Sequence, residues 1–125
     1  MHLLFVYGTL MRGYGNNVLL RDSDFLGEAV TTDGKFSMVT GGFPMVYAGG
    51  SSNIKGELYW VDDVVLQSCD RLEGHPNWYR RERISVDAAA VVHPWMYIMQ
   101  GEPLGPTMEP DENNVIFWRR TRVAA

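Results

Sequence analysis

The chain has 125 residues, a hydrophobic fraction of 46%, a charged fraction of 21% and a formal net charge of -4. These values predict one globular domain over 1–125 that is large enough for its own core. An acidic balance disfavours a nucleic-acid partner, whose phosphates need a basic surface.

HLLFVY, residues 2–7, is apolar on both faces and reads as a central buried strand. It runs into a corner, Tyr7-Gly8-Thr9-Leu10. FLGEAVTT at 25–32 and KFSMVT at 35–40 flank Asp33-Gly34, a hairpin signal. Gly41-Gly42-Phe43-Pro44 breaks the second of these, and MVY resumes at 45–47. IKGELYWV at 54–61 is a further strand, with Ile54, Leu58 and Trp60 on one parity. The period then changes. Asp62 or Asp63 suits a helix N-cap. Val65, Cys69 and Leu72 fall on one helical face, and Gly74 suits the left-handed position that ends a helix. YRRERISV at 79–86 and VVHPWMYIM at 91–99 read as two more strands. Residues 101–114 carry four acids, three prolines and two glycines and read as a loop. VIFWRR, 115–120, is a last strand or a packed tail, so 101–125 is expected to be irregular loop and tail. Six or seven strands and one main helix, without βαβ alternation, predict an α+β fold: a small mixed domain with a mostly antiparallel, β-barrel-like sheet.

Several chemistries are disfavoured by what the chain lacks. Cys69 is alone, which rules out an internal disulfide and a cysteine-rich metal site. His2, His75 and His93 show no ligand spacing, so neither a metal nor another cofactor is expected. There is no GxSxG elbow, and the glycines at 8, 13 and 15 fit no nucleotide fingerprint. The N-terminal apolar run is too short for a signal peptide and no stretch reaches the length of a membrane span, so a cytoplasmic protein with no membrane partner is expected. Nine of the eleven cations are arginines, clustered at Arg80, Arg81, Arg83 and at Arg119, Arg120, Arg122. They suit solvated strand edges and a basic tail, or alternatively an anion-binding patch. Trp60, Trp78, Trp95 and Trp118 suit core or pocket wall better than a platform for bases.

Two positions remain as candidates for chemistry. Glu73 lies one turn after Cys69 and two after Val65, so it shares their inward face. It also sits at a helix C-terminus, where a cation is favoured by about 0.3–1 kcal/mol. Burial and the helix dipole both raise the pKa of a carboxylate there, which suits general acid–base work. The bland alternative is a surface glutamate paired with Arg80 or Arg81. The corner Tyr7–Leu10 is either an ordinary strand-ending turn or a nest of amide N–H groups for an anion or oxyanion. Tyr79 either points its hydroxyl into the same cavity as Glu73 or caps the core.

VYGTLMRG, GELYWV and DRLEGHPNWYRR, in that order and spacing, resemble the gamma-glutamylcyclotransferase-like family, and its gamma-glutamylamine cyclotransferase branch most. The resemblance runs from residue 3 to about residue 98. It implies a small mixed α/β fold around a β-barrel with the cavity at its mouth. It implies that Tyr7, Gly8, Thr9 and Leu10 bind a glutamyl moiety, that Glu73 is the catalytic acid/base and that Tyr79 lines the pocket. The implied reaction is attack of a substrate's α-amine on its own γ-carbonyl, releasing 5-oxoproline and a free amine. Such a reaction needs no enzyme nucleophile, because nucleophile and electrophile share one molecule. The expected partner is a small gamma-glutamyl compound, and the expected assembly is a monomer or weak dimer. Cys69 stands where the family usually has leucine, and residues 101 onward match nothing in it. The rival expectations are a non-catalytic small-molecule-binding domain of the same fold and a nucleic-acid module built on the arginine clusters.

Overall fold

The computed structural model describes residues 1–119; Arg120 and Arg122, and with them the end of the predicted basic tail, lie outside the described residues. The strands are β1 (His2–Val6), β2 (Asp24–Thr31), β3 (Phe36–Thr40), β4 (Pro44–Ala48), β5 (Asn53–Val61), β6 (Tyr79–Arg83), β7 (Val86–Asp87), β8 (Val91–Val92), β9 (Trp95–Met99) and β10 (Val115–Ile116). A 3-10 helix spans Gly15–Leu20, and the single α-helix of the described residues, α1, spans Asp63–Glu73.

The main sheet runs β6-β9-β1-β5-β2-β7-β8, with β10 joined to the start of β5. Among the described residues all its pairings are antiparallel except β1 with β9 and β5 with β10. Strand β1 lies between β5 and β9, and Leu4, Phe5 and Val6 are all buried, as an apolar run without alternation requires. Strand β5 is likewise covered on both faces. Glu57, Leu58, Tyr59 and Val61 are buried while Trp60 reaches solvent, so the single-parity reading of this strand does not hold.

Further expectations are corrected. Among the described residues, ten short strands replace the six or seven predicted. The segment 79–86 divides because Ile84 leaves β6 and bonds to the carbonyl of Pro94. The segment 91–99 divides at Pro94, which lacks a ladder donor. Both halves change partners: β6 and β9 form one edge of the sheet, and β7 and β8 the other. These crossings tie the two edges together and curl the sheet into a half-barrel. Asp33-Gly34 does not form the expected hairpin. The side-chain oxygen of Asn53 accepts from the Gly34 amide at 2.8 Å and from the Thr31 hydroxyl at 2.9 Å. The chain therefore steps out of the main sheet, and β3 pairs along its length with β4, from Phe36↔Ala48 to Thr40↔Pro44.

Helix α1 starts and stops as its residues dictate. The Asp62 carboxylate accepts from the Val65 amide at 2.8 Å, which makes Asp62 the N-cap. Gly74 takes φ 67°. Its amide bonds to the Arg71 carbonyl, and the His75 amide bonds to that of Asp70. This is a Schellman closure, for which glycine is the default residue. The buried face carries Leu66 and Cys69. Leu72 is turned about 100° away from that face and is exposed, contrary to the sequence reading.

Candidate active site

The corner after β1 is held from three sides. The Tyr7 hydroxyl donates to the Tyr97 carbonyl on β9 at 2.7 Å. Burial, with Tyr79 and Glu73 nearby, keeps its pKa well above the ordinary tyrosine value, so this hydroxyl is a fixed strut. The Gly8 carbonyl accepts from the Met11 amide at 3.0 Å and closes the turn. A Cβ at Gly8 would stand 2.6 Å from Cγ of Pro44, so only glycine fits against β4 there. The Leu10 carbonyl accepts from the Asn17 side chain at 2.7 Å. The Arg12 amide donates to Glu57, on β5, at 2.8 Å, and the Tyr59 hydroxyl donates to the same oxygen at 3.0 Å. Among the described residues, no hydrogen bond within the chain takes up the amide N–H groups of Gly8, Thr9 or Leu10. The Thr9 hydroxyl accepts from the Asn16 side chain at 2.8 Å, which leaves its own hydrogen for a ligand.

Across from the corner stands Glu73, the last residue of α1. It lines the same cleft, of about 400 Å³, as Tyr7, Gly8, Thr9, Leu10 and Tyr79. That volume suits a small molecule. The structure thus brings together all six residues singled out in the sequence. Burial pushes the Glu73 carboxyl up to about 7. Among the described residues nothing donates to it. Arg80 pairs with Glu82, and Arg81 makes a two-pronged contact with Asp70 at 2.8 and 3.2 Å. The alternative of a surface glutamate paired with either arginine is therefore overturned. Tyr79 lines the same cleft as Glu73, and its hydroxyl donates to the Pro44 carbonyl at 3.1 Å, so it clasps β4. Burial, with Glu73 nearby, raises its pKa as well.

Sequence reasoning missed the residues that hold these groups. Asp70 lies one turn before Glu73 and accepts from Arg81 and from the Tyr97 hydroxyl at 2.7 Å. The backbone of Arg81 in turn donates to His75 just beyond the helix. Glu57 stands inside the GELYW stretch, where a carboxylate between glycine and leucine in a doubly covered strand was the available signal. Asn16 and Pro44 carried none. Among the described residues, no group of three His, Cys, Asp or Glu side chains converges to hold a metal ion.

The sequence pattern of the family described as gamma-glutamyl cyclotransferase, AIG2-like, matches residues 4–119. The chain belongs to this family. The match runs beyond the motif resemblance, into the C-terminal segment that had shown none. A provisionally named gamma-glutamylcyclotransferase of Methanocaldococcus jannaschii is 38% identical over 101 residues, 78% of this chain and 83% of its own. The human gamma-glutamylaminecyclotransferase is 35% identical over 98 residues, 69% of this chain and 62% of its own. The crystal structure of a mouse AIG2-like protein superposes with a TM-score of 0.75 at 23% identity, covering 98% of this chain and 99% of that one. That likeness establishes the fold: a small α+β domain with a curled, mostly antiparallel sheet. The family membership makes this cyclotransferase an enzyme of the gamma-glutamyl-transforming kind.

Proposed function

We propose that this cyclotransferase acts on small gamma-glutamyl amines, releasing 5-oxoproline and a free amine, with Glu73 as general acid/base. One observation carries the reading. A carboxylate without a partner among the described residues, raised to about 7 by burial, shares a cleft with a glycine corner whose amides are not taken up within the described chain. The glutamyl part of the substrate sits on Gly8, Thr9 and Leu10, where amide N–H groups and the Thr9 hydroxyl receive its oxygens. The α-amine faces the γ-carbonyl carbon. Glu73 takes a proton from the amine as the new C–N bond forms, and the corner amides stabilise the oxyanion. The bond to the departing nitrogen then breaks, and Glu73 returns the proton to it. No covalent enzyme intermediate arises. The wall formed by Tyr7, Pro44 and Tyr79 holds the ring-closing conformer, where orientation alone is worth several kcal/mol.

The test is release of 5-oxoproline from gamma-glutamyl-ε-lysine, other gamma-glutamyl amides and glutathione. Product from at least one is expected. Glu73→Gln should lower kcat at least about a hundredfold. Absence of product from every compound, or full activity in the glutamine variant, overturns the reading.

A further inference from the structure

We propose that the mouth of the cleft is a subsite for an apolar leaving amine, so that this chain prefers gamma-glutamyl derivatives of aromatic or branched alkyl amines over gamma-glutamyl peptides bearing a carboxylate. The inference rests on the cyclotransferase reading and adds the chemistry of the leaving group. Phe43, Leu72 and Trp78 all line the cleft, yet they are 48%, 42% and 66% exposed, which places them at its rim. Single exposed apolar side chains are ordinary, but three converging on one opening form a surface that a ligand can cover. They come from three places: the turn before β4, the last turn of α1 and the loop before β6.

The Trp78 backbone is pinned. Its amide donates to the Gly74 carbonyl at 2.9 Å and its carbonyl accepts from the Gln100 amide at 3.2 Å. Its side chain packs so close to Gly74 that a Cβ there would lie 3.1 Å away. The indole thus stands on a fixed backbone at the rim, a large apolar face on which an aromatic or alkyl group can stack.

Charge supplies the selectivity. Among the described residues lining the cleft, Glu73 is the one charged side chain, and no Lys, Arg or His joins it. Arg71, two residues before Glu73, lies outside the cleft lining and donates to the Ser68 hydroxyl at 3.1 Å, while Arg80 pairs with Glu82 and Arg81 with Asp70. A leaving group with its own carboxylate would enter beside Glu73 with no cation to receive it. An uncharged apolar amine meets only the rim.

The experiment compares kcat/KM for gamma-glutamylbenzylamide, gamma-glutamylmethylamide and gamma-glutamylglycine, read as 5-oxoproline release. The benzylamide should exceed gamma-glutamylglycine by about a hundredfold, and Trp78→Ala should cut the benzyl-over-methyl preference by about tenfold. Equal or better use of gamma-glutamylglycine, or an unchanged preference in the Trp78 variant, overturns the subsite while leaving the cyclotransferase reading intact. Absence of product from all three and from gamma-glutamyl-ε-lysine and glutathione overturns that reading instead. Calorimetric binding of the same compounds to the parent chain then reads the subsite without turnover: tighter benzylamide binding upholds it and equal binding overturns it.

Discussion

In the proposed reaction, Glu73 serves activity at the expense of stability. Its carboxyl titrates near 4.5 in the unfolded chain and near 7 in the fold, because burial disfavours the charged form. The unfolded state therefore binds fewer protons than the native state between those values, and stability falls as pH rises through that window. A separation of this size corresponds to about 3 kcal/mol before solvent screening reduces it. Glu73→Gln should accordingly raise Tm at pH 8 and leave it nearly unchanged at pH 4, which calorimetry at the two values would read. Activity should run the other way: kcat/KM of the parent should fall on the acid side with an apparent pKa near 7. Gly8 makes a different argument, from space. Gly8→Ala brings a methyl within 2.6 Å of the Pro44 ring. Either the ring or the corner has to move, and a displacement of that kind should lower kcat/KM about a hundredfold while far-UV circular dichroism stays native.

The elements differ in how openly the sequence declares them. Helix α1 was legible from Asp62 to Gly74 because cap, stripe and stop each have a local signature. Its facing was legible in part: Cys69 and Glu73 turn inward and Val65 packs against the core, while Leu72 is exposed and Leu66 takes the buried place instead. The corner was legible as a strand end, and its opposition to Glu73 was implied only through the family motif. The Asp33-Gly34 error has a physical source. A turn dipeptide encodes a reversal, but a distant side chain, Asn53, decides which backbone groups the reversal leaves for pairing. Asp70 was invisible for the same reason, since its partners Arg81 and Tyr97 come from β6 and β9. It fastens the end of α1 to the sheet, and so sets where Glu73 stands. Asp70→Asn leaves the Arg81 guanidinium half-buried without its charge partner and should cost about 2 kcal/mol. Chemical denaturation would measure that loss. If the fastening positions Glu73, kcat should fall in the same variant at temperatures where it remains fully folded.

Across the whole molecule, the cleft exists because two unequal sheets meet. The main sheet is curled by the β6–β7 and β8–β9 crossings, which link its two edges. The β3–β4 pair is attached more sparingly. The Phe36–Ser52 bridge holds one end, and the bond of 2.7 Å from the Met108 amide to the Met38 carbonyl straps the outer strand to the 101–114 segment. At the cleft, Pro44 supplies the attachment, resting on Gly8 and accepting from the Tyr79 hydroxyl. Tyr79→Phe removes that hydroxyl and leaves the buried Pro44 carbonyl short of a partner. The loss should be about 1 kcal/mol and fall on the small sheet alone, so amide exchange in β3 and β4 should speed up about fivefold while β1 and β5 keep their protection. Uniform acceleration across both sheets would mean that they open as one body and that the clasp has no separate role. Acceleration confined to β3 and β4 would identify the small sheet as the wall of the cleft that yields first.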